Sequence, residues 1–194
     1  HLVQFAFLGA ALSRLVLGLE SPTVGVLSNG SEADRGRAEV QEAVARIREL
    51  PGLDFTGPCE GNDLLAGPDV IVTDGFTGNV VLKAAEGVSQ AMLAAVKGAA
   101  LTSSRTKVGG VLLKPGIDAL KTEIDPEQYG GAYLLGLRAL GVVPHGRFSR
   151  HGIAQAIRRA ALGASSGLVE SVHADLARAG ALRRAAVPAD RAER

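Results

Sequence analysis

The stretch TDGFTGNVVLKAAEG places an acid, glycines and hydrogen-bonding side chains between an apolar run and a helix-like run. Gly75 and Gly78 let the backbone approach an anion closely, because glycine has no side chain in the way. Thr77 and Asn79 supply side-chain hydrogen bonds. A helix that starts here adds N–H groups without intrahelical partners and the positive end of its dipole. This combination is typical of a site for phosphate or another anion.

The same residues also have a purely structural interpretation. Asp74, Thr77 and Asn79 are residue types that cap the N-terminus of a helix, and a cap needs no ligand. The stretch alone therefore leaves both interpretations open. We refer to residues 73–79 as the glycine corner.

Strand-like and helix-like segments alternate before the glycine corner. TVGVLSNG, LDFTG and DVIVTD predict three short strands, and the last of them leads directly into the corner. SEADRGRAEVQEAVARIREL predicts a helix with Val40, Val44 and Ile47 on one face. This alternation indicates an open α/β sheet with parallel strands. Ligands of such sheets bind beyond the carboxyl ends of the strands, where the glycine corner lies.

Helical spacing of apolar residues predicts the remaining helices. The apolar residues of an opening helix are Phe5, Leu8, Leu12 and Leu15. A long amphipathic helix from Asn79 and a second helical run together predict a helical hairpin over residues 79–124. RHGIAQAIRRAALGASSGLVESVHADLARA predicts one closing helix, and residues 178–194 are predicted to be a disordered tail.

Composition limits the class of protein. The 194 residues are 46% hydrophobic, 4% aromatic and carry a formal net charge of +1, which fits one soluble domain and argues against nucleic-acid binding. Cys59 has no second cysteine to pair with, in agreement with a reducing compartment. Without a spanning apolar run or a leader, the sequence predicts a cytoplasmic protein. The chain begins at His1 rather than Met, so we expect an upstream part to be missing.

Three segments together resemble the PlsX family, the phosphate acyltransferases of bacterial phospholipid synthesis. They are EGNDLLAGPDVIVTDGFTGNVVLKAAEG, LLKPGIDALKTEIDPEQYGGAYLLG and PHGRFSRHGIAQAIRRA. The resemblance implies a Rossmann-like α/β/α sandwich related to isocitrate and isopropylmalate dehydrogenases. Residues 1–177 would form the C-terminal part of that single domain, incomplete at its N-terminus, with residues 79–124 as a protruding helical hairpin.

The resemblance also implies an activity. Members transfer a fatty acyl group from acyl carrier protein to inorganic phosphate, forming acyl phosphate for phospholipid synthesis, without a metal or organic cofactor. They act as homodimers, and the hairpin tip touches the inner face of the cell membrane. Near the polar turn of the predicted hairpin the apolar residues are Leu101, Val108, Leu112 and Leu113. Their pattern suits a lipid surface and equally suits packing on a partner subunit, and the resemblance favours the membrane.

The sequence also admits a second class of function. One alternative is an inactive fragment of the family that retains only dimerisation or membrane-surface binding. A nicotinamide dehydrogenase is disfavoured, because no GxGxxG corner with a downstream ribose-binding acid occurs in the sequence.

Site residues follow from the resemblance position by position. Asn79 and Arg35 are the expected catalytic residues, and Arg35 stands where the family has a lysine, an exchange that changes charge geometry. Ser28, Arg37 and Asn62 also depart from the family pattern. The expected substrate-binding residues are Asp74, Gly75, Phe76, Thr77, Gly78, Gly30, His145 and Gly146. A structural role for His145 is equally compatible with the sequence.

Overall fold

The structure, a computed structural model, describes residues 1–182. The chain forms two compact units. The first contains His1–Val72 and the chain from Ser166 onward, and the second contains Thr73–Ser165. The boundary between the units therefore falls between Val72 and Thr73, at the start of the glycine corner.

A three-stranded parallel sheet organises the first unit. Its strands are β1 (Thr23–Leu27), β2 (Asp54–Cys59) and β3 (Val70–Val72), in the order β2-β1-β3. The helices of this unit are α1 (Leu2–Leu17), α2 (Ala38–Glu49) and α7 (Leu168–Arg178), and a 3-10 helix (Gly61–Leu65) connects β2 to β3. α1 contacts the sheet, α2 and α7. This arrangement confirms the predicted α/β class with a parallel sheet.

Large apolar side chains of β1 and α2 form the centre of the core in the first unit. Val24 and Val26 have no exposed surface, and Val44 and Ile47 are only 1% exposed. Val40 is buried as well, so the predicted apolar face of α2 is confirmed. Each fully buried side chain of this size contributes about 1.5–3 kcal/mol to folding, so this cluster stabilises the unit substantially.

The buried face of α1 differs from the predicted one. Phe5 is 42% exposed, and among the four predicted face residues Leu8 alone is buried. α1 instead approaches the sheet through Gly9, where an added Cβ would lie 2.5 Å from Val70 Cγ1. Small residues allow this close packing but carry little hydrophobic signal, so the spacing of the large residues indicated the wrong face.

Two predicted helix boundaries were also wrong, and a glycine explains each. α2 begins at Ala38 rather than at residue 31, because Gly36 has a φ of 88° that no right-handed helix accepts. The predicted closing helix is two helices, since Gly167 has a φ of 65° and ends the run. Its first part is α6 (Arg150–Ser165), which belongs to the second unit.

Of the predicted disordered tail, residues 178–194, the structure describes residues 178–182. α7 ends at Arg178, and Ala179 and Ala181 are buried. The amide nitrogen of Gln4 donates to the Ala181 carbonyl at 3.2 Å, which links this segment to α1. Residues 183–194 lie outside the described residues.

Helices dominate the second unit. Its elements are α3 (Gly75–Ala100), α4 (Ser104–Glu123), α5 (Pro126–Tyr129), β4 (Ala132–Tyr133), β5 (Val142–Val143) and α6. β4 pairs with β5 in antiparallel fashion, and α5 packs on α6. Gly130 and Gly131 join α5 to β4 with positive φ, and a Cβ on Gly131 would lie 2.2 Å from the Val143 carbonyl oxygen. The two glycines of the YGGA motif are therefore required by backbone packing.

α3 and α4 contact each other along part of their length and are connected by residues 101–103. Gly110 lies so close to α3 that an added Cβ would be 2.9 Å from the Ala100 Cβ. Ser103 caps α4 by accepting a hydrogen bond from the Thr106 backbone N–H at 3.2 Å. Pro115 lies inside α4 and does not end it. Over residues 1–182, no helix combines the length and the apolar character needed to cross a bilayer.

Candidate active site

Asp74 organises the glycine corner as the N-cap of α3. Its carboxylate accepts hydrogen bonds from the Thr77 backbone N–H at 2.9 Å and from the Thr77 hydroxyl at 2.7 Å. The chain turns from extended backbone at Asp74 directly into the helix at Gly75. The capping interpretation of Asp74 is therefore confirmed. A cap of this kind fixes where the helix begins and, with it, the direction of its first N–H groups.

The other corner residues lie in the first two turns of α3. The helix starts at Gly75 rather than at Asn79, so Gly75 and Phe76 occupy the positions whose N–H groups have no intrahelical acceptor. An added Cβ on Gly75 would contact nothing within 4 Å, which leaves room for a ligand above the helix end. Phe76 is 79% exposed, which is unusual for a large aromatic side chain. Gly78 is more enclosed, since its Cβ would lie 3.0 Å from Thr73 Cγ2.

Asn79 lies one turn inside the helix and is exposed. Residues 79, 82 and 86 fall on one stripe of a helix, because neighbours three and four positions apart share a face. Leu82 and Glu86 line a groove in the second unit. Asn79 is therefore positioned at the N-terminal end of the α3 stripe that borders this groove.

The groove has a volume of about 660 Å³ and contains a second predicted site residue, His145. Arg147 and Phe148 line it beside His145, and Leu93 and Ile124 contribute apolar surface. A volume of this size lies within the range of about 300–1,000 Å³ that is typical of small-molecule sites. The structure thus brings the α3 stripe and the loop that carries His145 to one concave surface.

Glu86 is the charged residue of α3 that faces this loop. Its carboxylate lies 2.9 Å from Lys83 Nζ. The hydrogen bond from Lys83 lowers the pKa of Glu86, and the charges of His145 and Arg147 act in the same direction. Glu86 therefore stays ionised at neutral pH and compensates the basic groups around the groove.

The loop that carries His145 is held by local contacts. The His145 Nδ1 atom accepts a hydrogen bond from the Arg147 backbone N–H at 3.2 Å, and its ring stacks on Phe148 with centroids 6.0 Å apart. Gly146 is exposed, and a Cβ there would contact nothing within 4 Å. Since Nδ1 is the acceptor, the Nε2 atom carries the proton in neutral His145. Nε2–H is then the donor available to a ligand.

Glu127 anchors the end of the same loop. Its carboxylate accepts a hydrogen bond from the Ser149 backbone N–H at 2.9 Å and another from the Ser149 hydroxyl. These two hydrogen bonds lower the pKa of Glu127. Through these hydrogen bonds the Glu127 carboxylate connects α5 to Ser149, the residue that precedes α6. Glu127 also lines the groove.

Gly30 and Arg35 lie together in the loop between β1 and α2, in the first unit. Gly30 is buried, and an added Cβ would lie 2.8 Å from Arg35 Cγ and 2.9 Å from Glu32 Oε2. Arg35 Nε is 3.8 Å from Glu32 Oε2, and the Arg35 side chain is 64% exposed. Arg35 is thus a solvent-facing cation, whose long exposed ion pair contributes little to stability.

Ser28 differs from the other polar residues of this loop. Within the part of the chain that the structure describes, its hydroxyl oxygen is buried without a hydrogen-bond partner. Gly36 packs against it so closely that a Cβ on Gly36 would be 2.5 Å from the Ser28 oxygen. The residue at position 28 therefore supports the loop from inside, whereas Arg35 faces solvent.

Four residues predicted to lie at the hairpin tip are all exposed. The exposed fractions are 58% for Leu101, 64% for Val108, 78% for Leu112 and 64% for Leu113. Solvent-exposed apolar residues of this size on neighbouring turns form a patch that water does not favour.

Sequence reasoning did not find the roles of Glu86 and Glu127. Glu86 was visible as part of the EG that follows the glycine corner, and its spacing of seven from Asn79 could have placed it on the same face. No local pattern connects Glu127 to Ser149, which lies 22 positions further along the chain.

Comparisons with known proteins place the chain in a family. A family described as fatty acid synthesis protein matches residues 1–170. A phosphate acyltransferase of Anaeromyxobacter sp. (strain K) is 42% identical over 191 residues, covering 98% of this chain and 52% of the relative. A phosphate acyltransferase of Lactococcus lactis subsp. cremoris is 42% identical over 161 residues, covering 82% and 49%. One from Lactobacillus gasseri is 47% identical over 149 residues, covering 76% and 44%.

Together, the α/β fold, the capped glycine corner and these similarities indicate an enzyme of bacterial fatty acid synthesis. The chain belongs to the PlsX family, whose curated members matched here are named phosphate acyltransferases. It spans about half the length of the relatives that it matches.

Proposed function

We propose that the protein transfers a fatty acyl group from acyl carrier protein to inorganic phosphate and releases acyl phosphate. The observation that carries the proposal is the start of α3. Asp74 caps this helix by accepting a hydrogen bond from the Thr77 backbone N–H, and Gly75 and Gly78 lie in its first turns. Such an end favours a bound anion through its N–H groups and its dipole. We propose that the complete fold is the Rossmann-like sandwich of the isocitrate-type dehydrogenases.

The reaction depends on electrostatic stabilisation of the transition state more than on a covalent nucleophile. A phosphate oxygen attacks the thioester carbon, the carbonyl oxygen becomes an oxyanion, and the carbon–sulfur bond then breaks to release the thiol of the carrier. Donors aimed at the oxyanion and at phosphate lower the barrier, because they are already oriented when charge develops. We assign this role to Asn79 and to the backbone N–H groups of Gly75 and Phe76.

Residues around the groove complete the assignment. Thr77 and Gly78 shape the helix start, and Asp74 orients it without acting as a base. His145 lines the groove and provides a donor, and Gly146 next to it leaves open space for the substrate. Gly30 and Arg35 form a second phosphate-binding loop, in which the Arg35 guanidinium takes the place of an ammonium group.

Replacing Asn79 tests this assignment directly. We expect Asn79→Ala in the full-length protein to lower kcat for acyl phosphate formation about 100–1,000-fold, as for the loss of one oxyanion-hole donor. Asn79→Asp is the matched control for side-chain size and should be at least as impaired, because it removes the donor and adds a negative charge. Unchanged rates in both variants would remove Asn79 from the site.

We also propose that the protein is a cytoplasmic homodimer that attaches peripherally to the inner face of the cell membrane. The exposed apolar residues at the tip of the α3–α4 pair support this proposal, together with nearby basic residues such as Arg105 and Lys107. Basic residues add roughly 1 kcal/mol each on anionic lipid, so attachment should be reversible and sensitive to salt.

Cosedimentation with vesicles tests the attachment. We expect binding to anionic vesicles to exceed binding to neutral vesicles and to fall strongly when Leu112 and Leu113 are both changed to Glu. The matched control is Leu137→Glu, another exposed leucine in the second unit but away from the tip. Membrane attachment through the tip would be contradicted if vesicle binding changed neither with the tip mutations nor with the lipid charge in a protein that still dimerises.

A further inference from the structure

A second cavity lies between α3 and α4, further along the helices than the groove beside His145. It has a volume of about 490 Å³ and is lined by residues of these two helices and the first residue of their connection. Leu93 and Leu101 contribute apolar surface from one side, and Val111 and Ile117 contribute it from the other. Gly110 brings the two helices together beside Ala100. We call this cavity the interhelix slot.

Lysines surround the apolar lining of the slot. Lys107, Lys114 and Lys121 recur at intervals of seven along α4, so they lie along one edge of that helix, and Lys97 contributes from α3. Asp118 is the acidic residue of the lining. Its carboxylate pairs with Lys114 and, at 3.7 Å, with Lys121.

Lys97 and Lys107, the other two lysines of the slot, have no acidic partner of this kind among the described residues. Among residues 1–182, no carboxylate lies within ion-pair distance of Lys97 or Lys107. Neither residue lines the groove beside His145. The lysines without an acidic partner therefore lie at the end nearest to residues 101–103, whereas Asp118 partly compensates the two lysines at the end beside Ile117.

This charge distribution decides between possible occupants. A second copy of the chain would add the same excess of lysines over carboxylates to this face, so the interface would carry uncompensated positive charge, which costs energy. An occupant that is apolar along its length and negatively charged at one end would satisfy both the lining and the lysines. The volume is suited to a single small-molecule ligand rather than to a protein segment with its own side chains.

We propose that the interhelix slot binds a single-chain anionic amphiphile, specifically a long-chain fatty acid in its carboxylate form. The carboxylate pairs with Lys97 and Lys107, and the hydrocarbon chain lies between the helices along Leu93 and Ile117. The binding energy comes from burial of methylene groups between the helices and from the charge pair at one end. The slot shares Leu93 and Lys121 with the groove beside His145, whereas Lys97 and Lys107 line the slot and not that groove.

The test measures binding of palmitate to the full-length protein by equilibrium dialysis, below the concentration at which palmitate forms micelles and without vesicles. We expect saturable binding of one palmitate per chain at the slot. The double variant Lys97→Gln with Lys107→Gln should weaken it roughly tenfold or more, since two charge contacts are lost. Arg105→Gln, which removes a neighbouring charge outside the slot, should leave it unchanged. Hexadecanol should bind more weakly than palmitate.

A second pair of variants tests the apolar lining. Ile117→Glu should abolish binding, and Leu113→Glu, on the same helix but outside the slot, should not. Absence of saturable binding, equal weakening by Arg105→Gln, or equal affinity for hexadecanol would overturn the proposal. A second copy of the chain would fill the slot if the wild-type dimer bound no palmitate and Ile117→Glu converted that dimer into monomers. This result would also overturn the proposal.

Discussion

Replacing Asp74 by Asn, Ser and Ala separates the two roles that its carboxylate could have at the start of α3. As a cap, it accepts two hydrogen bonds from Thr77, at 2.9 Å from the backbone N–H and 2.7 Å from the hydroxyl. As a general base, it would take a proton during the reaction. Asn and Ser retain a capping oxygen and cannot act as a base, whereas Ala retains neither function.

The size of the capping effect follows from the contacts. Loss of an N-cap side chain typically costs about 0.5–2 kcal/mol, while Asn and Ser cap nearly as well as Asp. We therefore expect Asp74→Ala to destabilise the start of α3 by about 1 kcal/mol and Asp74→Asn to be close to wild type. Loss of a true general base would instead lower the rate about 100–10,000-fold in all three variants.

Two measurements on the full-length protein distinguish these outcomes. Hydrogen exchange of the amides of residues 75–79 reports the stability of the helix start, and initial rates of acyl phosphate formation report catalysis. If Asp74 only positions the corner, Asp74→Asn and Asp74→Ser keep slow exchange and most of the rate. Asp74→Ala then shows faster exchange and a higher KM for phosphate.

One result would refute this reasoning. If Asp74→Asn kept wild-type exchange but lost at least about 100-fold in rate, the carboxylate would act in the chemistry and not only in the fold. If Asp74→Ala changed neither exchange nor rate, the two hydrogen bonds to Thr77 would contribute nothing to the corner.

Three further predictions follow from other contacts. Arg35→Lys should keep part of the rate and Arg35→Ala should raise the KM for phosphate, whereas equal kinetics in wild type and both variants would place this loop outside the site. Burial raises the pKa of Cys59 from 9.0 to about 11, so at pH 8 it should react with iodoacetamide roughly 100-fold more slowly than a free thiol; a rate like that of a free thiol would contradict its burial. Hydrogen bonds from Ser149 lower the pKa of Glu127 in the folded state, so their stabilisation is present above the ordinary value of 4.5 and is lost as pH falls below it. Ser149→Ala should therefore lower the free energy of unfolding at pH 7, and a difference from wild type that did not shrink in acid would contradict the role of Glu127.

The parts of the fold that were predicted correctly have strong local signals. Val40, Val44 and Ile47 are large apolar residues at helical spacing, and all three are buried in α2 as expected. β1 and β3 are short apolar runs bounded by turn residues, and both lie in the parallel sheet. In these segments the local pattern and the tertiary packing favour the same answer.

The errors arose where small residues decide the structure. Gly9 sets the packing of α1 on β3, and Gly36 and Gly167 set helix boundaries through positive φ. A glycine in a sequence does not reveal which conformation it will adopt. Gly75 and Gly78 are poor helix formers, which is why the start of α3 was predicted at Asn79, four residues too late.

The candidate site was predictable to a similar extent. The glycine corner and its capping residue were visible as a continuous motif, and the structure confirms Asp74 as the cap. The groove that joins the α3 stripe to His145 depends on residues about 60 positions apart, for which a single sequence has no periodic signal. The roles of Glu86 and Glu127 belong to that second class.

Formation of acyl phosphate by the full-length protein tests the central claim most directly. The assay incubates acyl carrier protein carrying a long-chain acyl group with radiolabelled phosphate and measures label in a lipid-soluble product that hydroxylamine converts to a hydroxamate. The account predicts that wild-type protein forms this product at a rate that saturates with phosphate, and that Asn79→Ala forms it about 100–1,000-fold more slowly. Wild-type protein that is folded and dimeric but forms no labelled product would contradict it.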